Sequence, residues 1–236
     1  MAGAGKDRFD PHKDPGPGRL AWRSAAAVTV FLTVTIVTLA GDLWSKHAVF
    51  ASLLSDPNVP IRVQAIKLEH GQDLAPRDVL KILDLRRQVG AGLWLSLSTN
   101  PGVVFGLPMP PPVVAVATVL TILMVGWFFA VSSAKARWTH VALGLILAGA
   151  LGNFYDRMIA TVSIPNLSKP IVGQVRDFLD FSQVNVMGLN YPYIFNVADV
   201  WLVIGVGILL VHWVFAGRSA AKGTAAPTRR GGADRS

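Results

Sequence analysis

Four long stretches of this chain carry almost no charge, and that feature limits what it can fold into more than any other. Residues 24–41 hold no charged side chain between Arg23 and Asp42, residues 112–134 hold none, and residues 138–155 run uncharged from Arg137 to Asp156. A fourth run, 194–216, holds one charge, Asp199, near its start. A helix needs about 20 mostly apolar residues to cross a hydrocarbon core of about 30 Å. The pattern predicts an integral membrane protein, mainly α, with four transmembrane helices over about 22–44, 112–134, 138–158 and 194–216. The first and third apolar runs are short, so each helix is expected to pass its bounding charge. A cleaved signal peptide is the competing reading of the first run. Leu39-Ala40-Gly41 resembles the start of a lipoprotein cleavage box, but Asp42 stands where that box requires cysteine.

Charge gives the orientation. Residues 1–23, the link holding Lys135 and Arg137, and the residues after 216 together contain 12 basic and 4 acidic side chains. The remainder contains 10 of each, so the whole net charge of +8 sits in these three segments. Four spans put all three on one side, and lysine and arginine in short flanks mark the cytoplasmic side. Both termini are therefore expected in the cytoplasm. Basic tails beside an anionic leaflet explain the charge with no call on nucleic acid. Trp22, Trp138 and Trp213 fall at the expected inner interface; Trp44, Tyr155, Tyr191, Tyr193 and Trp201 fall at the outer one. Residues 1–21 and 217–236, rich in Gly, Pro, Ala and charge, read as disordered cytoplasmic tails around a single domain, 22–216. Cysteine is absent and the five histidines are scattered, which argues against disulfides, a thiol nucleophile and a zinc site.

Two segments, 46–111 and 159–193, then lie outside. Val79, Ile82 and Leu83 after Pro76 predict a short amphipathic helix. Leu93, Leu95 and Leu97 alternate with Trp94, Ser96 and Ser98, a strand period, and residues 60–68 are its expected strand partner in a small outer sheet.

Acids at the span ends are the informative residues. In this topology Asp42, Asp156 and Asp199 all converge on the outer side, where a lone charge near hydrocarbon costs several kcal/mol unless paired or wetted. Helical spacing gives each a polar companion: Lys46 for Asp42, Asn153 and Arg157 for Asp156, Asn196 for Asp199. The adjacent Arg157 is the expected counter-charge of Asp156. Asp177 and Asp180 lie in the second outer segment, and residue chemistry alone does not rank one above the other. Two close carboxylates can share one proton, one serving as general base and one as general acid. Ser45 beside Lys46 reads as a polar helix end more than as a serine–lysine pair.

Five blocks, in order, resemble the lipoprotein signal peptidase (signal peptidase II) family of intramembrane aspartic proteases. They are Asp42-Leu43-Trp44-Ser45-Lys46; Asn100-Pro101-Gly102-Val103-Val104-Phe105-Gly106; Gly149-Ala150-Leu151-Gly152-Asn153-Phe154-Tyr155-Asp156-Arg157; Gly173-Gln174-Val175-Arg176-Asp177-Phe178; and Phe195-Asn196-Val197-Ala198-Asp199. The resemblance implies a catalytic pair, Asp177 and Asp199, with Asp156 the rival for Asp177's place. It implies that Asn100, Gly102, Asn153, Arg157, Asn196 and Ala198 line or brace the site, with Asp42, Lys46 and Asp156 in support. It further implies a small extracytoplasmic β-cradle with a surface helix, no metal and no cofactor, and inhibition by globomycin. The substrates would be lipidated prolipoproteins, cut before the lipidated cysteine, in the bacterial cytoplasmic membrane among its lipids, by a monomer. The stretches 52–92 and 157–173 are longer than that pattern, and Val104 and Ala150 depart from it. The competing classes are a proton-coupled carrier and a scaffold held by buried ion pairs.

Overall fold

The computed structural model describes residues 19–102, 110–186, 189–190 and 193–223. Among these residues a 3-10 turn, Ala21–Arg23, leads into six helices: α1 (Ala25–Leu54), α2 (Val59–His70), α3 (Pro76–Leu83), α4 (Pro111–Val131), α5 (Arg137–Met158) and α6 (Val197–Gly223). Strands β1 (Arg86–Gln88) and β2 (Trp94–Asn100) precede α4. Between α5 and α6 come β3 (Thr161–Val162), β4 (Ile171–Val172), β5 (Val175–Asp180), β6 (Asn185–Val186), β7 (Leu189–Asn190) and β8 (Ile194–Phe195). The main sheet is antiparallel in the order β1-β2-β5-β8; β3–β4 and β6–β7 are separate pairs.

Among the described residues, three helices are long and apolar enough to cross a membrane: Ala25–Leu54, Pro112–Val131 and Val197–Phe215. Their outward faces carry bare apolar side chains, such as Ile36, Leu120, Leu123, Val203 and Val211. So much exposed hydrocarbon on helices of this length fits a lipid surround. Helix α5 is built differently because it is the centre of the bundle, packed against α1, α4 and α6. Its buried positions are largely small: Ala142, Gly144, Ala148, Gly149, Ala150 and Gly152. Small residues let helix backbones approach, which is how helices associate where water supplies no drive. A Cβ at Gly149 would stand 2.5 Å from the Ala198 carbonyl oxygen of α6, so no other residue fits there.

Helix α1 runs well beyond the expected end near 44. Its 30 residues span about 45 Å, more than the hydrocarbon thickness. Asp42 therefore lies inside the helix, about 25 Å along it from Ala25. The continuation past Lys46 is held by burial of Phe50 and Leu53 against α2 and α3, in a core completed by Val59, Val63, Leu83 and Phe178. A second apolar core joins Phe31, Val125, Phe129, Leu143 and Ile146 at the other end of the bundle. The polar side chains described below lie between the two.

The expected strand over 60–68 is corrected: these residues are helical, within α2. Val59, Val63 and Ile66 are its buried face, at helical spacing, while Ile61 is 68% exposed. A short apolar run satisfies both periods, and here Pro60 in the first turn and the apolar wall of α1 select the helix. The partners of β2 are β1 and β5 instead. Helix α3 forms where expected, but it buries Leu80 with Val79 and Leu83 and leaves Ile82 exposed. Helix α6 extends to Gly223, past the expected boundary at 216, and Ala21, assigned to a tail, is buried. The Ala21 N–H donates to Ser132 O at 2.9 Å, which fastens this end to the α4–α5 link. Trp22, Trp138 and Trp213 are all exposed. The expectations for residues 1–18, for Val103–Gly106, for Tyr191 and for 224–236 lie outside the described residues.

Candidate active site

Sheet pairing and a helix cap bring the acids together. Strand β5 pairs with β8 through Leu179 opposite Phe195, and β8 runs straight into α6. Asn196 caps α6 with its side-chain oxygen, 3.1 Å from the Asp199 N–H, and Asp199 Oδ2 accepts the Asn196 N–H at 3.2 Å. This is a reciprocal capping box, with the acid three residues into the box as the geometry demands. The same Asn196 donates through Nδ2 to Asp177 Oδ1 at 2.6 Å and to Asn153 Oδ1 at 3.1 Å. Asn153 in turn donates to Asp199 Oδ1 at 2.9 Å. Two amides thus hold two carboxylates, and both acids line one cavity of about 970 Å³.

Beneath them lies a buried chain of alternating charge. Lys46 and Asp42, both fully buried, pair at 2.8 Å, and Lys46 also reaches Asp156 at 3.2 Å and Asn153 Oδ1 at 3.0 Å. All three oxygens lie within 3.2 Å of the ammonium nitrogen. Asp42 Oδ1 accepts the Ala198 N–H at 2.8 Å, which ties α1 to the first turn of α6. A Cβ on Gly152 would collide with Asp42 Oδ2, so glycine is required for this pair to fit. Asp156 accepts from Arg176 Nε at 3.0 Å, Nη2 at 2.6 Å and the Arg176 backbone N–H at 3.0 Å. The two acids and two bases cancel, as buried charges must to be tolerated.

The expected pairing of Asp156 with Arg157 is corrected. Arg176 and Lys46 neutralise Asp156, whereas Arg157 donates to Gly102 O at 2.8 Å and Asn153 O at 3.3 Å. Adjacent residues on a helix point about 100° apart, so Asp156 faces the sheet while Arg157 faces the cavity. Arg176 was invisible in the sequence as that partner, because the contact exists only once β5 docks on α5. Asn100 accepts the Gly102 N–H at 2.9 Å and turns the chain at the cavity rim. Ser45 donates to the Asp42 carbonyl at 2.8 Å and serves its own helix.

Strand alternation separates Asp177 from Asp180. Asp180 accepts from Ser96 at 2.8 Å and from the Ser182 N–H at 2.9 Å. Burial alone would raise it, but hydrogen bonds from Ser182 and Ser96 and the nearby Arg86 charge outweigh that and hold it below the usual carboxylate range. Asp177 behaves oppositely. Burial first, then repulsion from Asp199, pushes it up to about 7, against the lowering effects of Asn196, Lys46 and Asn100.

The sequence profile of signal peptidase (SPase) II matches residues 34–215. The chain is 33% identical over 130 residues to the lipoprotein signal peptidase of Desulfitobacterium hafniense, covering 54% of this chain and 73% of that protein. It is 33% identical over 96 residues to the lipoprotein signal peptidase of Staphylococcus aureus, covering 41% of this chain and 49% of that protein. Its fold is similar to a solved bacterial membrane enzyme, with a TM-score of 0.53 at 21% identity over 87% of this chain and 95% of that one. A membrane-spanning chain with this match across most of its length belongs to the signal peptidase II family, the aspartic proteases named lipoprotein signal peptidases.

Proposed function

We propose that the chain removes the signal peptide from diacylglyceryl-modified prolipoproteins by cutting before the lipidated cysteine, with Asp177 and Asp199 sharing one proton. The observation that carries this reading is the pair of carboxylates on one cavity, each held by an amide of the Asn153–Asn196 couple. Both oxygens of Asp199 accept N–H groups, which suits the ionised partner. The Asp177 side held at about 7 suits the protonated one. Asp199 then takes a proton from water as the water attacks the scissile carbonyl, and Asp177 gives its proton to the departing amide nitrogen. Arg157, facing the same cavity, balances the single negative charge of the pair. Asp156 is the poorer candidate, because arginine and lysine occupy its oxygens.

The cavity supports the substrate class. Its lining is apolar where α4 and α6 contribute Ala117 and Leu202, and polar where the sheet contributes Ser98, Thr99 and Asn100. That suits a substrate with acyl chains in the membrane and a scissile peptide at its surface. Four spans, with α5 as the fourth, both termini in the cytoplasm and the acids at the outer face, complete the reading; α5 can afford few bulky apolar residues because its neighbours cover it. The test is a gel-shift assay with purified enzyme in detergent. A lipidated prolipoprotein should be shortened, while the same precursor without its diacylglyceryl group should persist. Equal cleavage of both would refute the lipid requirement.

A further inference from the structure

We propose that Arg77 is a specificity-determining residue that binds the mature side of the substrate, the residues just after the lipidated cysteine, and favours acidic side chains there. Arg77 lines the same cavity as Asp177 and Asp199, yet it belongs to none of the chain's five family-like blocks. It comes from the first turn of α3, which is anchored by burial of Val79, Leu80 and Leu83 and by the Arg62 guanidinium on the Leu83 carbonyl. Its side chain is exposed, and among the described residues it makes no hydrogen bond or ion pair.

Folding does not account for a cation here. A positive charge in the first turn opposes the helix dipole. Lys81, one turn on and also exposed, adds a like charge on the same face. Asp78 in the first turn and Lys81 in the last serve the dipole, and Arg77 does not. A guanidinium held on a rigid helix at a cavity rim, with five donors unspent, is arranged for an anionic or carbonyl ligand.

Position identifies which part of the substrate arrives there. The apolar lining of the cavity comes largely from the membrane helices α4 and α6, whereas α3 packs with the sheet and α2. The signal helix and acyl chains occupy the membrane end. The chain that continues past the cleavage point leaves toward α3 and water. Arg77 meets it first, so carboxylates in that stretch are attracted and lysines repelled.

This inference rests on the peptidase reading above. The test uses the full chain in detergent and three lipidated prolipoproteins that differ only after the lipidated cysteine, carrying aspartates, serines or lysines. Wild type should prefer the acidic substrate to the basic one by roughly three- to tenfold in KM, with similar kcat. Arg77→Ala should abolish the preference, Arg77→Glu should reverse it, and Arg77→Lys should restore most of it. Wild-type preference unchanged in Arg77→Ala and Arg77→Glu overturns the role of Arg77 and leaves the peptidase reading intact. Failure of wild type to cut any of the three overturns both.

Discussion

Asn196 and Asp199 cap one another at the start of α6, with the amide oxygen on the Asp199 N–H at 3.1 Å and the carboxylate on the Asn196 N–H at 3.2 Å. A helix end that folding needs in any case thus fixes the acid's position. The second hand of Asn196, on Asp177, couples that cap to the other acid. Asn196→Ala should therefore act twice. Loss of the cap costs about 1 kcal/mol of stability. Loss of the hydrogen bond removes a lowering influence on Asp177, so its pKa should climb further above about 7. The alkaline limb of the rate–pH profile should shift to higher pH, and turnover should fall. A profile with an unmoved alkaline limb would show that Asn196 serves the helix alone.

The neutral chain Asp42–Lys46–Asp156–Arg176 predicts a sharp contrast in stability. Lys46→Met leaves two buried carboxylates one cation short and should cost about 3–5 kcal/mol, seen as a lower melting temperature in detergent. Arg157→Ala should cost less stability, because its bonds are to two carbonyls. Its larger effect should be on turnover, through the charge it supplies to the cavity. Equal destabilisation by the two substitutions would mean that Arg157 carries part of the structural charge balance after all.

Much of this was legible in the sequence, and the limits are instructive. Three of the four charge-free runs became helices long and apolar enough to cross a membrane, and i, i+3 and i, i+4 spacing correctly joined Lys46 to Asp42 and Asn196 to Asp199. Contacts within one helix follow from its period. The counter-charge of Asp156 was not legible, since Arg176 sits twenty residues away on a strand and adjacency favoured Arg157. Residues 60–68 were misjudged because Ile61, Val63 and Ala65 alternate while Val59, Val63 and Ile66 recur at helical spacing; the tertiary wall of α1 decides between them. Asp177 could not be ranked above Asp180 by residue chemistry, because which strand face meets the cavity depends on pairing with β2 and β8.

Asp177 should make folding stability fall with rising pH. Its folded pKa, about 7, lies above the ordinary 3.8, so the folded state holds the proton more tightly than the unfolded one. Stability contributed by that proton is complete below about 4 and is lost as pH rises through about 7. Asp177→Asn cannot ionise, so it should match or exceed wild type in melting temperature at pH 8 and lose that advantage at pH 5. A stability gap between the two proteins that does not change between pH 5 and pH 8 would contradict the raised pKa.

The orientation is open to a direct check. The basic excess predicts that both tails face the cytoplasm. A reporter active only in the cytoplasm, fused after Ser236, should give signal. Signal only from a reporter confined to the outer face would invert the topology and place the acids at the wrong surface.

The shared proton is tested most directly by turnover of a lipidated prolipoprotein in four proteins: wild type, Asp177→Asn, Asp199→Asn and the double variant, with Asp156→Asn as control. Each dyad single variant should lose several orders of magnitude in kcat while remaining folded and able to bind substrate, and the double should be hardly worse, because residues acting as a unit are not additive. Wild type should show a bell-shaped rate–pH profile whose limits belong to the pair. Asp156→Asn should lose stability more than chemistry, since its partners are Arg176 and Lys46. An active, well-folded Asp177→Asn beside an inactive, well-folded Asp156→Asn would contradict the assignment of the dyad.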